Sequence, residues 1–186
     1  MRIEKSFTVD APQNTVWQFV SSPEKVGMCF PGCQQVTAIG DDKYKASIKV
    51  QIGPIKTTFK LDFEMTENRP PEFSAYTTRG EEQNRASRLK ADSTLTLSAL
   101  ADGRTMVAYT SDLSIVGRLG KFGLGVMSNK AEAMGSEFVQ LLCAQIEGRP
   151  DSVAGTDQYR LSTLQKIIAI VASAAIILLG YYFFMR

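Results

Sequence analysis

Polar and apolar residues alternate along most of the first two-thirds of the chain, then shift to a helical rhythm, and finally give way to an unbroken apolar run. Arg2–Asp10 sets Ile3, Phe7 and Val9 against Arg2, Glu4, Ser6 and Thr8, the period-two pattern of a half-buried strand. Ala11-Pro12 breaks it. Pro12 suits a helix start, and Val16, Trp17, Phe19 and Val20 supply an apolar face. A second short helix is expected over Pro23–Phe30, ended by Pro31-Gly32. Alternation resumes in Tyr44–Gln51, Ile55–Met65, Leu89–Ala99 and Thr105–Ile115, with turns at Gly53-Pro54, Pro70-Pro71 and Asp102-Gly103. Six or seven antiparallel strands follow the first helices. From Leu119 to Glu147, Met127, Ala131, Met134, Phe138, Leu141 and Gln145 recur at three- and four-residue steps, as on an amphipathic helix.

This order of elements predicts an α+β fold, a twisted and curved antiparallel sheet around one long C-terminal helix. Phe59, Leu61, Phe63, Leu95, Leu97, Val107, Tyr109 and Leu113 would face Met127, Met134 and Phe138 across that concavity. A curved sheet under a single helix tends to leave a pocket. Patterning alone leaves two readings open, a core filled by these side chains or a cavity lined by them.

Ile167–Met185 is 19 residues without a charge, and ten of them are Ile, Leu, Val or Phe. As a helix it would be about 28 Å long, close to the ~30 Å hydrocarbon thickness of a bilayer. Ten such residues contribute roughly −3 to −6 kcal/mol toward insertion. Residues 164–186 therefore read as a transmembrane tail anchor. The basic Lys166, Arg160 and Arg149 before it place the body, residues 1–147, on the cytoplasmic side of the inner membrane, single-pass. MRIEKSFTV carries no apolar signal region, so no removed targeting peptide is expected. Residues 148–163, GRPDSVAGTDQYRLST, read as a flexible linker. Such a coil averages about 20–24 Å end to end and stretches to roughly 50 Å.

Composition is that of a globular protein, 44% hydrophobic and 22% charged. Two of the 21 Lys and Arg, Lys166 and Arg186, flank the apolar run, so the residues before Lys166 carry 19 basic against 19 acidic groups. A neutral body without a basic stripe argues against nucleic acid. The chain has no His, which removes the usual general base, the usual Ser and Cys activator and the commonest metal ligand. Cys29, Cys33 and Cys143 fit a reducing compartment, and the Cys29/Cys33 pair lacks the further ligands that a metal site needs. Gly117, Gly120, Gly123 and Gly125 match neither nucleotide-binding fingerprint, since Lys121 precedes Phe122 rather than Ser or Thr. They read either as a loosely capped helix start or as a gate that admits an apolar ligand. Glu81 and Glu82 would point to opposite faces of a strand, and a solvated loop is expected for them. Arg85 and Arg88 are expected in solvent. No nucleophile, base and orienter assemble, so catalytic and metal-ligating residues are not assigned.

The run VWQFVSSPEKVGMCFPGCQQV resembles the signature of the carbon monoxide dehydrogenase G-subunit family, with Val16-Trp17 in a helix and Phe30-Pro31-Gly32-Cys33 ending an apolar stretch. Gly53-Pro54, the Pro70-Pro71 turn, Thr105–Tyr109, and Gly117–Gly125 leading to Phe138 extend the resemblance over about residues 1–147. It implies a helix-grip, START-like (SRPBCC) domain whose cavity holds lipids or other apolar molecules. It further implies association with a molybdenum-containing carbon monoxide dehydrogenase or a related molybdenum hydroxylase, membrane attachment of that enzyme, and passage of electrons toward respiratory quinone. Two functions then compete. One is a non-catalytic carrier with no covalently bound cofactor, which takes a quinone or similar isoprenoid lipid from the membrane and presents it to the enzyme. The other is a ligand-free adaptor that only tethers the enzyme. A START-like cyclase is a third and weaker option, lacking an acid–base set. The expected ligand-binding residues are Phe30, Phe59, Phe63, Leu113, Met127, Met134 and Phe138, with Phe122 in the gate.

Overall fold

Each alternating stretch of sequence becomes a strand of a single antiparallel sheet in the computed structural model, which describes residues 1–148. The elements are β1 (Arg2–Val9), α1 (Gln13–Val20), α2 (Pro23–Cys29), β2 (Cys33–Gly40), β3 (Lys43–Ile52), β4 (Ile55–Arg69), β5 (Phe73–Glu82), β6 (Ser87–Ala99) and β7 (Thr105–Gly117). A short 3-10 helix, Leu119–Phe122, and the long α3, Leu124–Glu147, complete them. The sheet order is β1-β7-β6-β5-β4-β3-β2. Strands β2 to β7 thus form a meander, and β1 adds to its last strand. Since β1 and β2 lie at opposite edges, the α1–α2 segment must cross the width of the sheet, and it closes one end of the concave face.

Local chemistry explains the corners. Gly53 at φ +56° and Pro54 form the two-residue loop between the paired Ile52 and Ile55. A register shift between Met65 and Glu67 marks a bulge in the 15-residue β4, which helps a strand of that length bend. Gly117 ends β7 at φ +91°, where a Cβ would lie 2.2 Å from the Ala86 carbonyl oxygen.

The apolar interior divides into two clusters. Val9, Ala11, Val16, Val20, Cys29, Leu97, Val107 and Leu142 join α1, α2 and the last turns of α3 to the ends of β1, β6 and β7. Ile52, Phe59, Leu119 and Met127 form the second, with Leu61, Leu89, Ile115 and Phe122 against it. Met127 and Leu142 are fifteen residues apart on one helix, which puts about 22 Å of helix between the clusters. The backbone of α3 approaches β1 and β3, near the two sides of the curved sheet, more than it approaches the strands between them.

Three local expectations change. The helical segment beginning at Leu119 is broken at Gly123, φ +80°, into a 3-10 turn and α3. On α3 Gln145 is exposed while Leu142 is buried, because the last turns pack against α1 and α2 and this moves the apolar stripe. Glu81 and Glu82 are the last residues of β5 rather than a solvated loop, and Glu82 is only 1% exposed. Among the described residues no helix is long and apolar enough to cross a membrane. The expected anchor, 164–186, and all of the expected linker after Gly148 lie outside the described residues.

Candidate functional site

Strand parity decides which side chains face α3. Leu97 and Val107 pack with Leu142, so every second residue from them lies on the concave face. Reading across paired strands, one row is Leu113, Ala91, Thr78, Phe63 and Tyr44, and the next is Ile3, Ser111, Ser93, Tyr76 and Met65. These rows lie between the two packed clusters. Phe63, Tyr44, Tyr76, Tyr109, Met65 and Leu113 face inward yet are only half-buried, as are Met134 and Phe138 on α3. Phe63 stacks on Tyr44 with ring centroids 5.1 Å apart and planes at 15°, and Phe30 tilts against Phe138 at 5.9 Å.

The eight expected lining residues therefore separate into groups. Phe59 and Met127 are buried in the second cluster, with Phe122 packed on it, so they close that end of the interior. Phe138 borders the first cluster and brings Phe30 with it. Phe63, Leu113 and Met134 face the middle space. A pocket of about 280 Å³ opens where β7, the 3-10 helix and α3 meet, lined by Met1, Leu113, Ser114, Ile115, Gly120, Gly123 and Met127. It lies against the glycine-rich segment that the sequence marks as a helix start or a gate.

A larger trough of about 920 Å³ lies on the other side of the sheet, among Thr37, Lys45, Lys60, Asp62, Arg79, Glu81, Arg88 and Lys90. These residues have the parity opposite to Phe59 and Phe63, and Ala46, Leu61, Gly80 and Leu89, which lie between them along the strands, also border the trough. The face carries cross-strand pairs such as Lys45–Asp62 at 3.4 Å and Arg88–Glu81 at 3.1 Å. It is charged and solvated, unlike the apolar site expected. Arg85 and Arg88 are solvent-exposed, as their sequence context suggests.

Two features were not visible in the pattern of large apolar residues. The first is a set of hydroxyls on the concave floor. Ser93 Oγ shares a hydrogen bond with Ser111 Oγ at 2.9 Å and another with Tyr109 Oη at 3.2 Å, while the buried Ser74 Oγ has no hydrogen-bond partner. The signal was there in Ser87, Leu89, Ala91, Ser93, Leu95 and Leu97, where one parity mixes small polar with apolar residues. The second is Glu82, whose Oε1 accepts from the Arg118 guanidinium while Oε2 makes no hydrogen bond. Burial pushes this carboxyl up, but the nearby Ser87 and Thr57 hydroxyls and Arg118 outweigh it and hold it below its usual value. Cys29 and Cys33 do not converge: Cys29 Sγ donates to the Lys25 carbonyl at 3.6 Å and Cys33 Sγ to that of Gln35 at 3.8 Å.

Similar architecture occurs in solved structures. A conserved protein from Geobacillus kaustophilus superposes with a TM-score of 0.74 at 23% identity, over 80% of this chain and 96% of that one. A START superfamily protein from Mycobacterium smegmatis gives 0.62 at 12% identity, over 79% and 97%. The ZhuI aromatase/cyclase from Streptomyces sp. R1128 gives 0.59 at 16%, over 83% and 98%. At these identities the likeness establishes a START-like fold. Among curated proteins none matches the sequence. The family model for the carbon monoxide dehydrogenase G-subunit (CoxG) matches residues 6–147, which span the sheet and all three α-helices. The chain belongs to the CoxG family, that of the carbon monoxide dehydrogenase G-subunit.

Proposed function

We propose that this protein is a non-catalytic accessory protein of a carbon monoxide dehydrogenase, and that it carries an apolar lipid of the quinone type between α3 and the concave face of the sheet. The observation that supports this most is the half-exposure of inward-facing rings, Tyr44, Phe63, Tyr76 and Tyr109, in the stretch between two closed clusters. Rings placed there for packing alone would be covered by α3. An isoprenoid tail costs about 0.8 kcal/mol per CH₂ to expose to water, so unassisted transfer to a soluble enzyme is slow and a dry carrier shortens it. The redox chemistry belongs to the quinone. The partner enzyme in this reading is a molybdenum-containing carbon monoxide dehydrogenase or a related molybdenum hydroxylase, as the sequence resemblance implies. The apolar run at 167–185 would keep the carrier at the cytoplasmic face of the inner membrane.

The test is extraction of the protein purified from membranes, with mass spectrometry of the organic phase. A stoichiometric prenylated quinone is expected. Reproducible absence of any apolar small molecule, with retained binding to the dehydrogenase, would leave a tether without cargo.

A further inference from the structure

The hydroxyls of Ser93, Ser111 and Tyr109 make two hydrogen bonds among themselves, at 2.9 and 3.2 Å. Three hydroxyls carry three protons, so one proton remains without an internal acceptor. If Ser93 donates to Ser111, Tyr109 must donate to Ser93 and the free O–H is that of Ser111. If the chain runs the other way, the free O–H is that of Tyr109. The direction changes the donor, but a donor is left over in both cases. Ser93 is 9% exposed and Ser111 3%, so bulk water does not take up this capacity at the serines, while the half-buried Tyr109 hydroxyl turns it toward the open middle of the concave face.

A second orphan lies in the neighbouring row. Ser74, 2% exposed, pairs across the ladder with Leu95, which in turn pairs with Tyr109, and its hydroxyl has no partner. Leu97 and Val107 flank this polar patch on one side, and Ala91 and Leu113 on the other. The only cation on the inward face of β1, Lys5, is engaged by Glu132 and Ser136 of α3. The patch therefore offers neutral donors and no free positive charge.

We propose that this patch is the head-group subsite of the carrier, and that it selects an apolar molecule ending in a neutral carbonyl oxygen over a hydrocarbon or a carboxylate. The inference rests on the carrier reading and specifies its cargo. A carbonyl oxygen takes the surplus proton. A pure hydrocarbon leaves it unpaired, and a carboxylate would be buried beside Lys5, the ladder partner of Tyr109, which Glu132 already neutralises, the most costly outcome of the three.

The test measures Kd of the full chain in detergent for three probes with the same decyl tail: decyl-benzoquinone, decylbenzene and decanoate. Wild type is expected to bind the quinone about ten-fold more tightly than decylbenzene, the fold-change of one good hydrogen bond, and decanoate most weakly. The Ser93→Ala/Ser111→Ala double variant and, separately, Tyr109→Phe should erase the quinone advantage, with decylbenzene as the baseline for each variant. The carbonyl stretch of the bound quinone should move to the free value in parallel. Equal quinone preference and an unshifted stretch in folded variants would overturn the subsite and leave the carrier standing. If wild type binds none of the probes, the carrier reading falls and the subsite with it.

Discussion

Arg118, the residue before the 3-10 helix, donates its guanidinium to Glu82 at the end of β5, 36 positions earlier in the chain. The Arg118 amide also donates to the Ala86 carbonyl at 2.8 Å, and the Leu119 amide to Ser87 Oγ at 3.0 Å. The buried Leu119 plugs the second apolar cluster. The glycine-rich segment is therefore fastened to the β5–β6 corner on one side and breaks at Gly123, φ +80°, before α3 on the other.

Removing the cation tests that fastening. Glu82 is buried and Arg118 is 42% exposed, so Arg118→Met should cost about 1–3 kcal/mol after allowance for solvent screening. The sign with pH is distinctive. In wild type the Glu82 carboxyl lies below its ordinary 4.5, so its stabilising contribution is present above that value and is lost as pH falls through the lower folded value. Without Arg118 only the Ser87 and Thr57 hydroxyls oppose burial and the carboxyl moves up from its wild-type position, so the variant falls further behind wild type in stability as pH increases from acid toward neutrality. Urea melts at several pH values check this. A difference between the two proteins that does not grow from acid to neutral pH would refute the pairing.

Phe59 and Phe63 are four residues apart on β4, share a face, and should behave differently. Phe59 is 4% exposed inside a packed cluster, so Phe59→Ala should cost about 3–5 kcal/mol. Phe63 is half-buried and stacked on Tyr44, so Phe63→Ala should cost about 1–2 kcal/mol while lowering the lipid recovered per mole of protein. Chemical melts and lipid extraction of both variants give the comparison. Equal stability losses would mean that the middle of the interior is as filled as its end.

How much of this was legible depends on which force set each feature. Strands with one apolar face, such as Ile55–Met65, announce themselves, because burial of one face forces a period of two. The edge strand β2, CQQVTAIG, has only Cys33 and Val36 half-buried and so carried almost no alternation. Glu82 sits in EEQN, which locally reads as a turn, and its burial comes from Arg118, a contact that no local window contains. Ser and Thr suit either face of a sheet, so Ser93 and Ser111 give the alternation no sign of their own. They acquire one only when Leu95 and Val107 fix the parity of their strands. The family resemblance agrees with the fold read from the element order because the turns and the glycine segment keep their order, whereas the apolar pattern alone points only to the bulky members of the site.

The glycines of the last connection differ in kind. At Gly117 a Cβ would meet the Ala86 oxygen at 2.2 Å as well as a positive φ, and Gly117→Ala should cost about 3 kcal/mol or more. At Gly123 nothing lies within 4 Å, so Gly123→Ala carries only the backbone penalty of φ +80° and ψ 157°, about 1–3 kcal/mol. Thermal melts rank the two. The reverse ranking would show that the β7 end yields more readily than its geometry implies.

Burial raises the Cys29 thiol to about 11. At pH 8 about one part in a thousand is then thiolate, and the side chain is 1% exposed. Iodoacetamide at pH 8 should leave Cys29 unmodified in the folded protein and label it promptly in denaturant, with peptide mapping as the readout. Prompt labelling without denaturant would mean that α2 opens on the timescale of the reaction.

Removing Ile167–Arg186 tests the proposed membrane residence apart from the proposed cargo binding. Met1–Arg149 forms a compact unit with both apolar clusters inside it, so the shortened chain should fold and keep its melting temperature. The excised run carries the roughly −3 to −6 kcal/mol of insertion energy, and the remaining residues include no apolar stretch of comparable length, so the shortened protein should move from the membrane to the soluble fraction. Its affinity for decyl-benzoquinone in detergent should be unchanged, because the proposed subsite draws on β5, β6 and β7 alone. A tether without cargo makes a different prediction, that recruitment of the dehydrogenase is lost and no quinone affinity exists before or after the deletion. Quinone affinity that disappears together with the segment would place the binding site outside the sheet and helix, and would remove the basis for assigning it to the concave face.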